Sequence, residues 1–236
     1  MRVQSDNLPS GRRVLIAGAS GLVGQHLLQA LLADASVTEV YTLGRRPQPW
    51  QHVKLQPLIV DFAHLPALPP VDEAYLALGT TLKQAGSEAA FHAVDYAANL
   101  AVAKAALAAG AQRIALVSAA GADARSHFFY NRTKGELELA LRQLNPAGLL
   151  VARPALLLGD RAALGQPHRP LEHWSQRLME ILGPLLPVGW RPIAAETVAR
   201  ALTDLLPTQQ GVRALNSAEL QRHRRLNALE QTNVRS

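Results

Sequence analysis

The chain alternates short runs of apolar residues with longer stretches in which apolar residues recur every three or four positions. Short apolar runs are typical of strands buried on both faces, and the longer pattern is typical of helices that cover a sheet. The alternation predicts an α/β fold, a doubly wound, Rossmann-like parallel sheet with right-handed crossovers. The predicted strands are residues 13–18, 37–44, 52–62, 73–79, 113–121 and 148–159, and predicted helices include 21–34, 87–109 and 128–144.

The pattern loosens after residue 159, where five prolines lie between positions 167 and 192. Helical periodicity returns near residues 171–182, 195–206 and 217–229. We interpret residues 1–236 as a single domain, in which residues 160–236 form a small C-terminal cap on the substrate side of the sheet.

A glycine-rich loop joins the first predicted strand to the first predicted helix, with Gly18, Gly21 and Gly24 in a G-x-x-G-x-x-G pattern. In a dinucleotide-binding loop the first glycine permits a tight turn, the second lets backbone N–H groups approach a pyrophosphate, and the third lets helix and strand pack closely. The helix N-terminus also favours an anion. The residues expected to hold the pyrophosphate are Gly18, Ser20, Gly21, Leu22, Val23 and Gly24. The alternative is a glycine-rich turn without a ligand.

Two arginines follow the second strand, where NAD-binding folds usually carry an acidic residue about twenty residues beyond the glycine loop. Gly44 occupies that position, and Arg45 and Arg46 come directly after it. A carboxylate would repel a ribose 2′-phosphate, whereas a guanidinium pairs with it through charge-assisted hydrogen bonds. The sequence therefore predicts NADP(H) as the cofactor. The alternative is that both arginines are solvated loop residues.

Two more strand ends supply candidate cofactor contacts. Asp61 ends the third strand. Its carboxylate either accepts a hydrogen bond from the adenine amino group or stabilises the turn in which Asp61 lies. The fourth strand runs into Leu78, Gly79 and Thr80, at the carboxyl edge where ligands bind in such sheets.

The composition excludes several classes of protein and of functional site. Hydrophobic residues at 48% and charged residues at 18% are those of an ordinary globular domain, and the absence of cysteine excludes disulfides and thiolate catalysis. The net charge of +6 is scattered except in residues 221–227, which we interpret as a solvated helix face, so no nucleic-acid partner is expected. The eight histidines show no metal-ligand spacing. No apolar stretch is long enough to span a membrane, and we predict a cytoplasmic location.

The stretch FFYNRTKGELELALRQL places Tyr130 and Lys134 four residues apart, on one face of a predicted helix. Many helices carry this spacing by chance, so the pair alone does not define a site. Ser118, however, ends the fifth predicted strand just before this helix. The three residues together are a candidate catalytic group.

A strand-end serine followed by Tyr-x-x-x-Lys on the next helix resembles the short-chain dehydrogenase/reductase superfamily. The closer resemblance is to an atypical branch, the Tat-interacting oxidoreductase-like proteins and their bacterial relatives. It is carried by LGTTLKQAGSEAAF, LVSAAGADARSHFFYNRTKGELE and RPALLLGDR, and covers most of residues 13–206.

The resemblance implies roles for individual residues. Tyr130 would be the general acid in reduction and the base in oxidation, and the ammonium of Lys134 would favour the phenolate and bind the nicotinamide ribose. Ser118 would hydrogen-bond the substrate oxygen, although Ser118 is only a strand-end residue if the active hydroxyl belongs at Ala120. Pro154 resembles the proline near the nicotinamide, and Arg153 either reaches an anionic substrate or braces its strand.

These features predict an NADP(H)-binding oxidoreductase that transfers hydride to or from a small-molecule carbonyl or alcohol substrate. One alternative is a regulatory or scaffolding protein that binds NADPH without turnover. Another is a nucleotide-sugar epimerase, for which the chain leaves little room after residue 159. The resemblance also favours a homodimer, for which the alanine-rich face of residues 87–109 allows close packing.

Overall fold

The computed structural model describes residues 11–158 and 192–233. Its strands, in chain order, are β1 (Arg12–Ala17), β2 (Val37–Gly44), β3 (Leu55–Ile59), β4 (Glu73–Leu76), β5 (Arg113–Val117), β6 (Gly148–Arg153), β7 (Leu157–Leu158), β8 (Ile193–Ala194) and β9 (Gly211–Asn216). A seven-stranded parallel sheet has the order β3-β2-β1-β4-β5-β6-β9, and β7 and β8 form a separate parallel pair. The doubly wound fold predicted from the sequence is confirmed.

The helices lie on both faces of this sheet. They are α1 (Leu22–Ala33), α2 (Leu82–Ala85), α3 (Glu88–His92), a π-helical segment (Ala93–Ala98), α4 (Asn99–Ala108), α5 (Phe129–Gln143), α6 (Ala195–Leu205) and α7 (Ser217–Asn233). Strand order reverses between β1 and β4, which opens a crevice at the carboxyl ends of these two strands.

Each face of the sheet is buried under its own apolar layer. Along β1, Val14 and Ile16 belong to the layer that contains α1, α6 and the start of α7, while Leu15 and Ala17 belong to the layer that contains α4 and α5. Successive strand residues point to opposite faces, so a strand covered on both sides has to be apolar throughout. This is the physical reason for the short continuous apolar runs in the sequence.

The helix predicted at residues 87–109 consists of α3, the π-helical segment and α4 in direct succession. The hydroxyl of Ser87 accepts a hydrogen bond from the Ala90 N–H at 3.1 Å, so Ser87 is the predicted N-cap. Gly110 follows the helix with a φ of +103°, a conformation that favours glycine. The sequence did not indicate the π-helical segment.

Part of the chain after residue 191 packs on the main sheet or belongs to it. The sequence placed residues 160–236 in a substrate-side cap, but α6 packs against α1 and β9 pairs with β6. β9 was not predicted, because as an edge strand it is largely exposed and lacks a continuous apolar run. Residues 159–191, including the helix predicted at 171–182, lie outside the described residues, so a cap there stays a prediction.

Candidate functional site

The glycine loop lies at the reversal of strand order, and its three glycines are required for different reasons. Gly18 has a φ of +92°, and a Cβ there would lie 2.4 Å from the Ala77 carbonyl oxygen. A Cβ on Gly24 would lie 2.0 Å from the Gly18 carbonyl oxygen. Gly21 has an ordinary φ of −78°, and a Cβ would lie 3.2 Å from that same oxygen. The protein's own packing therefore requires Gly18 and Gly24, whereas Gly21 could carry a side chain after a small adjustment.

A cleft lies beside this loop, at the ends of β2 and β3. It is lined by Ala19, Ser20, Thr42, Leu43, Gly44, Arg46, Gln48, Pro57, Leu58 and Ile59. Arg45 and Arg46 are exposed, and neither guanidinium has a hydrogen-bond or ion-pair partner among residues 11–158 and 192–226. Of the two arginines only Arg46 lines the cleft, so its charge is available to an anion bound there.

Asp61 is exposed, and its carboxylate stabilises the turn in which it lies. Its Oδ1 accepts a hydrogen bond from the Ala63 N–H at 3.0 Å, and its Oδ2 lies 3.0 Å from His64 Nδ1. The hydrogen bond with His64, followed by that from Ala63, holds the pKa of the Asp61 carboxyl below its usual value. Both carboxylate oxygens are thus engaged locally, as the turn interpretation requires, and adenine recognition by Asp61 stays a prediction.

The exit of β4 meets the predicted catalytic lysine. Lys134 Nζ lies 2.7 Å from Asp95 Oδ1 in an ion pair, and both side chains are buried. The Thr80 N–H donates to Asp95 Oδ2 at 2.8 Å. A Cβ on Gly79 would lie 3.5 Å from Asp95 Oδ1 and 4.0 Å from Lys134 Nζ. Lys134, Gly79 and Thr80, which the sequence assigned to one site, therefore lie together around a residue that it missed.

The position of Asp95 in the sequence could have identified it as a candidate. Residues 87–109 contain two carboxylates, and only Glu88 is in the first turn, where acidic residues are ordinary. The other, Asp95, is in the alanine-rich interior of the helix. Asn99, one turn after Asp95, is buried and donates to the carbonyl oxygens of Leu78, Val94 and Asp95. Its amide thus fastens the π-helical segment to the β4 exit.

Tyr130 lies one turn before Lys134, near the start of α5. Its side chain is 36% exposed, and its ring centroid is 5.6 Å from that of Phe91. Tyr130 is thus exposed at the same end of the helix at which the lysine is buried. The predicted role of Tyr130 as proton donor stays a prediction.

The hydroxyl of Ser118 is bonded within the protein, and its predicted contact with a substrate oxygen stays a prediction. The side chain is buried, and its hydroxyl donates to Oε1 of the buried Glu138 at 2.6 Å. Ser118 lies directly beyond the end of β5, and the pleat turns its side chain toward α5. The residue that it contacts follows Lys134 by four positions, on the same face of that helix.

Arg153 braces the end of its strand. Its Nε and Nη2 donate to the two oxygens of Glu138, at 3.0 and 2.5 Å. This bidentate hydrogen bonding raises the pKa of the Arg153 guanidinium. Pro154 is buried, and its carbonyl oxygen accepts a hydrogen bond from the Ala120 N–H at 2.8 Å. Two roles were expected for Arg153, contact with an anionic substrate and bracing of its strand. The structure shows the bracing role.

We expect Glu138→Gln to lower the free energy of unfolding by about 1–3 kcal/mol, because Arg153 and Ser118 would lose a charged acceptor. Arg153 is 34% exposed and can recover part of its hydration, which keeps the loss below that of a fully buried pair. Urea unfolding measures this change. Glu136→Gln, on the same helix, is the matched control and should be near neutral; equal losses in both variants would contradict the bracing role.

Comparisons with known proteins extend this description. A family model described as "NAD dependent epimerase/dehydratase family" matches residues 14–139. "Protein fmp52, mitochondrial" of Emericella nidulans is 32% identical over 216 residues, which cover 86% of this chain and 88% of that protein. Protein HTATIP2 of Rattus norvegicus is 32% identical over 213 residues, which cover 87% and 86%. The resemblance to Tat-interacting oxidoreductase-like proteins is confirmed.

Solved structures share the fold. The ADP-L-glycero-D-manno-heptose-6-epimerase of Helicobacter pylori aligns with a TM-score of 0.63 and 16% identity, over 92% of this chain and 80% of that one. MoeE5 in complex with UDP-glucose and NAD aligns with a TM-score of 0.62 and 17% identity, over 86% and 76%. The chain thus has the NAD(P)-binding fold of the epimerases and short-chain dehydrogenases.

The predicted cytoplasmic location is contradicted, because several fungal relatives are named as mitochondrial proteins. Cellular addresses are read by receptors from short segments, so the composition of a folded domain does not report them. Within residues 11–158 and 192–233, helices are too short or too polar to cross a bilayer.

Proposed function

Because this chain belongs to the NAD dependent epimerase/dehydratase family, we propose that it is an NADP(H)-dependent oxidoreductase that acts on a small carbonyl or alcohol. The observation that carries the proposal is the position of α5. This helix presents an exposed tyrosine, Tyr130, and a buried lysine, Lys134, beside the β4 exit. That exit also contacts the glycine loop, since Ala77 lies against Gly18.

The residues present fit a dinucleotide. Gly21 leaves the backbone of the loop uncovered at the N-terminus of α1, where N–H groups and the helix dipole favour a pyrophosphate. Arg46 offers an unpaired positive charge to a 2′-phosphate, and Lys134 offers N–H donors to ribose hydroxyls. When bound, the nicotinamide supplies or accepts the hydride.

The chain's own residues handle the proton. In reduction the phenol of Tyr130 donates its proton to the substrate oxygen, and in oxidation the phenolate takes a proton from the alcohol. Following NADPH absorbance across a panel of aldehydes, ketones and quinones tests the proposal, and a panel without turnover would reject it.

We expect NADPH to bind about tenfold or more tightly than NADH, because one charge-assisted contact contributes about 1.5–3 kcal/mol. Arg46→Gln should remove most of this preference by weakening NADPH alone. Fluorescence titration at fixed salt measures both constants. Lys104→Gln removes one exposed positive charge from α4 and is the control. Equal affinities of the unmodified protein for the two cofactors would contradict NADP(H) specificity.

A second candidate is a regulatory or scaffolding protein that binds NADPH without turnover. The commitment of the Ser118 hydroxyl to Glu138 favours it, as does the absence of hydroxyl groups from Ala119 and Ala120. This candidate predicts tight NADPH binding together with no NADPH consumption across the carbonyl panel. The two measurements on one preparation therefore separate the two functions.

A further inference from the structure

We propose that Asp95 is a positioning residue that places the Lys134 ammonium and the β4 exit for the nicotinamide ribose of the dinucleotide. The inference rests on the proposed function, since it assigns a partner to the lysine of that site. The inference also assigns a role to the π-helical segment, because the buried residue Asp95 lies in that segment. Segments of π-helix are frequent at functional sites.

The first support is the cost of burying Asp95. Its side chain is 1% exposed and that of Lys134 is 6% exposed, so both charges have lost most of their hydration. A buried carboxylate is tolerated when it is paired and hydrogen-bonded. Lys134 Nζ at 2.7 Å and the Thr80 N–H at 2.8 Å meet that requirement. One side chain therefore fixes both the ammonium and the backbone turn.

The second support is that the ion pair leaves N–H donors of Lys134 free for a ligand. Asp95 Oδ1 contacts Lys134 Nζ at 2.7 Å and has no other donor among the described residues. An ammonium has three N–H donors, so two stay available for acceptors such as ribose hydroxyls when one is directed at Asp95. Gly79, which is exposed, lies against both groups, and a Cβ there would contact Asp95 Oδ1 at 3.5 Å. Access from solvent to the pair therefore passes a position that has no side chain.

The third support is that the backbone around Asp95 is held independently. The Asn99 amide donates to the carbonyl oxygens of Asp95 and Val94, one turn earlier, and to that of Leu78. Asp95 and the β4 exit are thus connected twice, once through Asn99 and once through Thr80. Such a connection sets the Lys134 position before a ligand arrives, which lowers the ordering cost of binding.

The test is a double-mutant cycle on NADPH affinity, with Asp95→Asn, Lys134→Met and the double variant. Asp95→Asn should weaken NADPH binding about tenfold. If Asp95 acts through Lys134, the same change should have no further effect in the Lys134→Met background. A loss of equal size in both backgrounds would overturn the positioning role. Glu88→Gln, an exposed change in the preceding helix α3, is the control.

Thermal unfolding of the cofactor-free variants gives a second readout. Lys134→Met leaves a buried carboxylate without its ammonium, so it should melt below the double variant, in which neither charge remains. The reverse order would overturn the pairing. If a single variant does not fold, the double variant still decides, because NADPH affinity equal to that of the unmodified protein would reject the inference. An unmodified protein that does not bind NADPH would instead reject the proposed function, and this inference with it.

Discussion

Tyr130→Phe should lower turnover about 10²–10⁴-fold, the usual contribution of a general acid, while NADPH affinity changes little. The substitution removes one oxygen and keeps the ring, which packs against Phe91 with centroids 5.6 Å apart. The residue is 36% exposed and its hydroxyl has no hydrogen-bond partner among the described residues, so we expect the variant to fold. Turnover is measured with a carbonyl substrate from the panel, and affinity by fluorescence titration.

Two further variants sharpen this result. Tyr41→Phe also removes one phenol oxygen, from a tyrosine of β2 that contacts Glu39, and should leave turnover unchanged. Lys134→Ala should lower both turnover and NADPH affinity, because the ammonium is proposed to contact the ribose. Full activity of Tyr130→Phe would show that the tyrosine is a packing residue and would reject the mechanism.

Gly21→Val should weaken NADPH binding about a hundredfold or more, since a side chain there displaces the pyrophosphate from two or more charge-assisted hydrogen bonds. Among the loop glycines, Gly21 tests the ligand most cleanly. At Gly18 and Gly24 an added Cβ would lie within 2.4 Å of a backbone carbonyl oxygen, and the fold itself would suffer. At Gly21 the nearest atom is 3.2 Å away and φ is −78°.

Circular dichroism should show Gly21→Val to be folded, and titration should show the loss of NADPH. Gln29→Val introduces the same side chain at an exposed position of α1 and controls for its effect on the helix. If Gly21→Val binds NADPH as tightly as the unmodified protein, the loop does not hold the pyrophosphate.

The electrostatics of the site depend on residues distant in sequence. Ser118 and Glu138 are twenty positions apart, and Thr80 and Asp95 are fifteen apart. Which face of α5 meets the sheet decides that Lys134 contacts Asp95 and that Glu138 contacts Ser118. A serine at a strand end predicts a hydroxyl at the edge of the sheet, but it does not predict which neighbour binds it. The hydrogen bond between Ser118 and Glu138 was not predicted for this reason.

The sequence by itself determined the doubly wound sheet and the position of the glycine loop, because both follow from short-range patterns. Continuous apolar runs report burial on two faces, and a positive φ such as that of Gly18 favours glycine through local steric effects. The tertiary structure alone decided that β9 completes the sheet, that Gly21 is the glycine free to meet a ligand, and that Asp95 holds Lys134. These features depend on distances between elements remote in the chain, and the periodicity of a single segment does not encode such distances.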